Sequence, residues 1–182
     1  KYLKSLEATK SIFLVTNGQE PDMIQKLQDE DALPTQLYLS TNAADYESFM
    51  KINKPKYDDS WERWNKTLDM LKDLNTRTVL RITLIRDYND QKESIPAFAE
   101  MFRKASPHFI EIKSYMHIGR STNRLEHENM LEMDEVKNFS EEIAKQSKIF
   151  SIMDESIISR ISILQNNERF IDRFISTYAN TI

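Results

Sequence analysis

The chain has 182 residues, 40% of them hydrophobic and 30% charged, with a net charge of −4; this is the profile of one domain whose core buries roughly 70% of the unfolded surface. No apolar run approaches the ~20 residues that cross a bilayer, and no basic-then-apolar leader is present, so no membrane partner and a cytoplasmic location are expected. The lack of cysteine excludes disulfides, thiolate catalysis and iron-sulfur ligation by these residues alone, and the acidic balance excludes coating nucleic acid through bulk charge.

In chain order, Ser11 to Thr16 is a short apolar run closed by Asn17-Gly18, the pattern of a buried strand ending in a turn. Pro21 sits where a first helical residue belongs, and Met23, Ile24 and Leu27 share one face. Gln36 to Ser40 reads as a second strand, with Leu37 and Leu39 opposite Tyr38 and Ser40. The clearest helix follows, with Asp59 and Glu62 spaced as a capping box and Trp61, Trp64, Leu68 and Leu71 forming its apolar stripe. Thr78 to Ile85 reads as a third strand, presenting Leu80, Ile82 and Leu84 on one face and Val79, Arg81 and Thr83 on the other.

A helix over Ile95, Phe98, Met101, Phe102 and Ala105 precedes a fourth strand, Phe109 to Lys113. This β-α alternation means parallel strands with helices packed outside. One strand face carries Arg81, Thr83, Glu111 and Lys113, and a barrel-like sheet can point such groups into a central cavity. The expected fold class is therefore α/β, a partial β/α barrel. The remainder predicts a helix near Glu132 to Gln146, short strands at Ile149 to Met153 and Arg160 to Leu164, and a last amphipathic helix containing Phe170, Phe174, Ile175 and Tyr178.

Several residues admit a structural and a chemical reading. Asn17-Gly18 is a tight turn or a ligand contact at the carboxyl end of the sheet, and Ser40 is a helix cap or a second such contact. Arg81 either pairs with Glu111 or binds a ligand carboxylate through its planar fork. Lys113 is a Schiff-base nucleophile, a phosphate anchor or a partner of Glu111. His117 and His127 lack a credible third ligand and read as surface or hydrogen-bonded side chains, so no metal site is expected. From Lys113 to Arg124 the chain carries Lys113, Arg120 and Arg124 with no acid, plus Tyr115 and Gly119; this is a solvated loop, or a contact for a phosphate backbone and an unstacked base. The run Lys51, Lys54 and Lys56 reads as plain surface.

Taken together, FLVTNG at 13 to 18, LPTQLYLS at 33 to 40, SWERW at 60 to 64, RTVLRITLIRDYN at 77 to 89, HFIEIKSYMHIGRSTNRL at 108 to 125 and DESIISR at 154 to 160 resemble the tRNA 4-demethylwyosine synthases of archaeal type, which are radical S-adenosylmethionine (radical-SAM) enzymes. The resemblance implies a radical-SAM partial barrel that condenses N1-methylguanosine-37 of tRNA(Phe) with pyruvate, drawing on S-adenosylmethionine, [4Fe-4S] clusters and an electron donor. The four strands correspond to the fourth through seventh of the family barrel. Residues 1–125 are then its carboxyl-terminal half and 126–182 a wyosine-specific extension on the same domain. The amino-terminal half with its cysteine loop is an expected partner, and a start at Lys1 agrees with a fragment. By the same analogy Asn17, Ser40 and Arg81 lie around the cofactor, whereas Lys113, Tyr115, Arg120 and Arg124 face substrate or tRNA. The family reads SLDA where this chain has Ser40 to Ala43, which leaves Asp45 as a candidate replacement acid. Two alternatives stand beside this expectation: a cofactor-independent lyase using Lys113, and a non-catalytic tRNA-binding module.

Overall fold

The computed structural model describes residues 1–175. In chain order its elements are β1 (Phe13–Thr16), α1 (Pro21–Asp29), β2 (Gln36–Ser40), α2 (Tyr46–Asn53), α3 (Ser60–Met70), β3 (Arg77–Leu84), α4 (Ile95–Ala105), β4 (Phe109–Ser114), α5 (Met133–Ser147), β5 (Phe150–Ser156) and β6 (Ile161–Asn166). One six-stranded sheet runs β1-β2-β3-β4-β6-β5. The first four strands are parallel, as β-α alternation requires, and β6 joins β4 antiparallel with β5 antiparallel beyond it. The sheet and its helices form a mixed α/β fold. No helix of the described residues is long and apolar enough to cross a membrane.

The alternation legible in the sequence divides the sheet into two unlike faces. Leu37, Leu39, Leu80, Ile82, Leu84, Ile110, Ile112 and Leu164 are fully buried and share one core with Trp64, Phe98, Phe102, Val136 and Ile143 from the helices. Burying each such side chain contributes about 1.5 to 3 kcal/mol. Tyr38, Arg81, Glu111 and Lys113 occupy the alternate positions. On that second face Phe13 and Val15 of edge strand β1 are half exposed.

Helix boundaries follow local chemistry. Pro21 starts α1 at a position that needs no amide hydrogen. Asp45 caps α2 by accepting from Ser48 N at 2.9 Å, and Glu132 and Glu135 form a reciprocal capping box on α5. At α3 the expected box does not form. Asp59 instead accepts from Arg63 Nε at 2.9 Å, a charge-assisted bond that outcompetes the neutral amide. Helix α2 was not legible in the sequence, because Phe49 is its one buried side chain and its polar end merges into the lysine-rich run.

The expected final helix does not begin where the apolar spacing suggested: residues 170–175 are not helical, and Tyr178 lies outside the described residues. Their backbone serves another purpose. Arg77 Nη1 donates to Asp172 O at 2.5 Å and Nη2 to Arg173 O at 3.1 Å, which ties the segment to the amino-terminal end of β3. Phe174 and Ile175 thereby join Phe13, Tyr38, Phe109 and Glu111 around a cavity of about 310 Å3 on the second face.

His108 joins the starts of β3 and β4. Its Nδ1 accepts from Thr78 N at 3.1 Å while its own amide donates to Thr78 O at 3.1 Å. Burial, reinforced by the nearby charges of Arg169 and Arg77, pushes the imidazole down to about 4. Because the folded value lies below the unfolded ~6.5, the neutral ring contributes stability that is complete above that pH and lost as pH falls toward 4. Urea midpoints of the natural protein should therefore drop between pH 6.5 and pH 5 more steeply than those of His108→Gln; parallel curves would contradict this role.

Candidate substrate and cofactor site

The carboxyl ends of β1 and β2 are shaped by one glycine and one helix. Gly18 has φ +76, and a Cβ there would lie 2.7 Å from Leu39 Cδ1 and 3.1 Å from Trp64 Cδ1, so the turn needs glycine for both conformation and space. Asn17 Oδ1 accepts from Gln19 N at 3.2 Å and closes the turn. Helix α3 then pins both loops: Trp64 Nε1 donates to Ser40 O at 3.1 Å, Thr67 Oγ1 to Gly18 O at 2.8 Å, and Gln19 Nε2 to Ser60 O at 3.1 Å.

The outcome is a cavity of about 330 Å3 lined by Asn17, Gln19, Ser40, Asn42, Lys56 and Tyr57, among others. Asn17 and Ser40, read separately from the sequence, are thus brought together. Buried Gln19 keeps an Oε1 with no hydrogen-bond partner. Ser40 does not cap α2; Asp45 does, and its carboxylate is spent on Ser48 rather than on this cavity.

Arg81 lies apart from that cavity. Its Nη2 donates to Glu111 Oε2 at 3.3 Å, and its Nε sits 2.8 Å from Oε1 as close charge proximity without an aligned N–H. The guanidinium also lies 4.4 Å from the centroid of the Tyr38 ring. Burial and the Glu111 charge together raise the Tyr38 phenol above its ordinary range. The ion pair anticipated for these two residues is therefore formed, on the face that no helix of the described residues covers.

Lys113 occupies the same face, two residues beyond Glu111 and paired in register with Thr83. Among the described residues no carboxylate lies within 4 Å of its Nζ. Tyr115, next along, is only 5% exposed; it packs with Ile85 and Leu125, and its Oη lies 3.2 Å from His117 Nδ1. Arg120 and Arg124 remain exposed in and after a short 3-10 turn. Gly119 has φ +64 with open space around it, so it serves conformation and not close packing.

Three residues that position these groups carried no sequence signal of their own. Arg86 grips Glu135 through both oxygens, at 2.5 and 2.7 Å, and donates to Glu128 O and Met130 O at 2.9 Å each. This fork holds Glu135 below the usual carboxylate range and ties the loop after β4 to α5. Asn89 Nδ2 donates to Asn42 O and Thr83 O at 2.9 Å, while Asn42 Oδ1 accepts from Thr83 N at 3.1 Å. The only hint was an amide side chain just past each strand end.

The donor set settles one cofactor question. The chain has no cysteine, and the described residues contain no group of three or more His, Asp or Glu able to hold a metal ion, so these residues do not fit a [4Fe-4S] cluster. The amide- and hydroxyl-lined cavity, with its unpartnered Gln19 oxygen, does fit a polar organic ligand.

Residues 104–166 match the family model for wyosine base formation. The chain is 42% identical over 162 residues to the S-adenosyl-L-methionine-dependent tRNA 4-demethylwyosine synthase of Methanocaldococcus jannaschii, covering 88% of this chain and 48% of that protein. In sequence the chain is a relative of the tRNA 4-demethylwyosine synthases. The synthase of Pyrococcus abyssi is 38% identical over 156 residues, covering 86% of this chain and 45% of that one. The chain thus spans about half the length of the curated synthases it matches. A solved structure of TYW1 with a lysine-pyruvate adduct bound superposes with TM-score 0.76 and 41% identity, over 87% of this chain and 48% of that one. The fold is shared more distantly with coproporphyrinogen III oxidase of Escherichia coli, a radical SAM enzyme, at TM-score 0.54 and 12% identity over 86% of this chain and 35% of that one.

Glu111→Ala should cost about 2 to 3 kcal/mol in urea unfolding, because it strands a largely buried guanidinium. Arg81→Met with Glu111→Leu should recover to within about 1 kcal/mol of the natural protein, a coupling that a double-mutant cycle reads directly. Additive losses would show that the pair is not energetically linked.

Proposed function

We propose that this chain forms the carboxyl-terminal half of a tRNA 4-demethylwyosine synthase, which condenses N1-methylguanosine-37 of tRNA(Phe) with pyruvate. Residues 1–125 supply half of a radical-SAM barrel and 126–182 a wyosine-specific extension. The uncovered sheet face is then the inner wall of that barrel, which strands from an amino-terminal half complete. The reading rests chiefly on Lys113: an amine that has no ion-pair partner among the described residues, at the carboxyl end of β4, in a chain related to a TYW1 structure that carries a lysine-pyruvate adduct.

In this reading Lys113 Nζ, unprotonated, attacks the ketone carbon of pyruvate, and loss of water leaves an imine. The Arg81–Glu111 pair below it keeps the wall charged yet internally neutralised, so the fork of Arg81 is committed to Glu111 before any ligand arrives. Asn17, Ser40 and the neighbouring amides of Gln19 and Asn42 suit the hydroxyls and base edge of S-adenosylmethionine. When bound there, that cofactor would supply the radical chemistry of the reaction, and these side chains would hold and orient it. An electron donor completes the set of partners.

Borohydride reduction in the presence of pyruvate, followed by peptide mass spectrometry, should place the trapped adduct on Lys113, and Lys113→Arg should abolish it. An adduct on another lysine, or none, would contradict the assignment.

A further inference from the structure

Two basic runs that lie far apart in the chain meet in the fold. Lys51 and Lys54, from the end of α2, line a small cleft together with Arg124 from the loop after β4, around Tyr88 and an apolar floor of Ile52, Ile85 and Leu125. Lys51 Nζ lies 4.9 Å from the centroid of the Tyr88 ring, a cation–π contact that holds its stem across the cleft. No carboxylate lines the cleft.

The charge here is also uncompensated. Among the described residues the cleft cations Lys51, Lys54 and Arg124 have no carboxylate within 4 Å, and the same holds for Lys10, Lys72 and Lys148, whereas Arg63, Lys66, Arg86, Lys104 and Arg160 each have one. Lys51 and Lys54 follow β2 and Arg124 follows β4, so the three meet beyond the carboxyl ends of those strands. In a protein of net charge −4 the cleft is thus a local group of three cations at the end of the sheet that carries the candidate site.

The cleft holds about 60 Å3, room for one small anion and too little for a nucleobase. It also shares a wall with the larger cavity. Residues 51, 52 and 54 face the cleft, while Asn53, Pro55, Lys56 and Tyr57 of the same segment line the cavity that contains Asn17 and Ser40.

The geometry points to a phosphate-binding subsite formed by Lys51, Lys54 and Arg124, which takes a phosphodiester of the substrate RNA backbone and sets the adjoining nucleotide at the mouth of the larger cavity. Phosphate contacts of this kind position an RNA without reading its sequence. The inference rests on the tRNA reading above and adds the point where the RNA chain is gripped. Arg124 was already a candidate tRNA contact; Lys51 and Lys54, plain surface in the sequence, become its partners.

The test compares Lys51→Gln/Lys54→Gln/Arg124→Gln in the whole protein with Lys10→Gln/Lys72→Gln/Lys148→Gln. The control removes three lysines from segments that lead into the opposite ends of β1, β3 and β5. Binding of tRNA is measured across a salt series. The cleft variant should bind at least about tenfold more weakly near 0.1 M salt and should lower the log–log salt slope by roughly 1 to 2, against little change in the control. Equal losses in the two variants overturn the subsite and leave the tRNA reading standing; failure of the natural protein to bind tRNA overturns both. Tight binding of inorganic phosphate that the cleft variant loses, with its tRNA slope unchanged, would assign the cleft to the free anion and overturn the RNA role.

Discussion

The constraint on which the structure depends is that, among the described residues, the helices cover only one face of the sheet. A parallel sheet sandwiched between two helical layers buries apolar side chains on both sides, and it could not hold Arg81, Glu111 and Lys113 in its middle strands. On the other face Glu111 is largely buried and Arg81 partly so, and the ion pair is compensated by its partner and the Tyr38 ring. The backbone of residues 172 and 173, drawn across the lower end by Arg77, covers part of the same face.

Above the sheet, two fixtures decide where chemistry is possible. Helix α3 reaches over β1 and β2 and takes the carbonyls of Gly18 and Ser40, which keeps the larger cavity open between their loops. Arg86, at the exit of β3, binds the turn before α5 and α5 itself, which fixes the far end of the loop that leaves β4. Lys113 stands near the carboxyl end of β4, in register with Thr83 of β3.

Much of this was legible because it is periodic. The opposition of Leu80, Ile82 and Leu84 to Val79, Arg81 and Thr83 gave the two faces of β3, and Pro21 and Asn17-Gly18 marked the first turn and helix start. What escaped has a common physical cause: it depends on contacts between distant segments. Arg86 and Asn89 look like ordinary polar residues until Glu135 and Asn42 arrive beside them. Helix α2 buries too little to announce itself, and so Lys51 and Lys54 passed for surface although the fold sets them beside Arg124. At Asp59 a local rule lost to a stronger local competitor, Arg63.

The synthase assignment is tested most directly by nucleoside mass spectrometry of tRNA(Phe) from cells in which the gene for this protein has been deleted. The account predicts N1-methylguanosine at position 37, with the tricyclic nucleoside absent and restored when the gene is returned. Retention of the tricyclic nucleoside at its normal level in the deletion strain would contradict it.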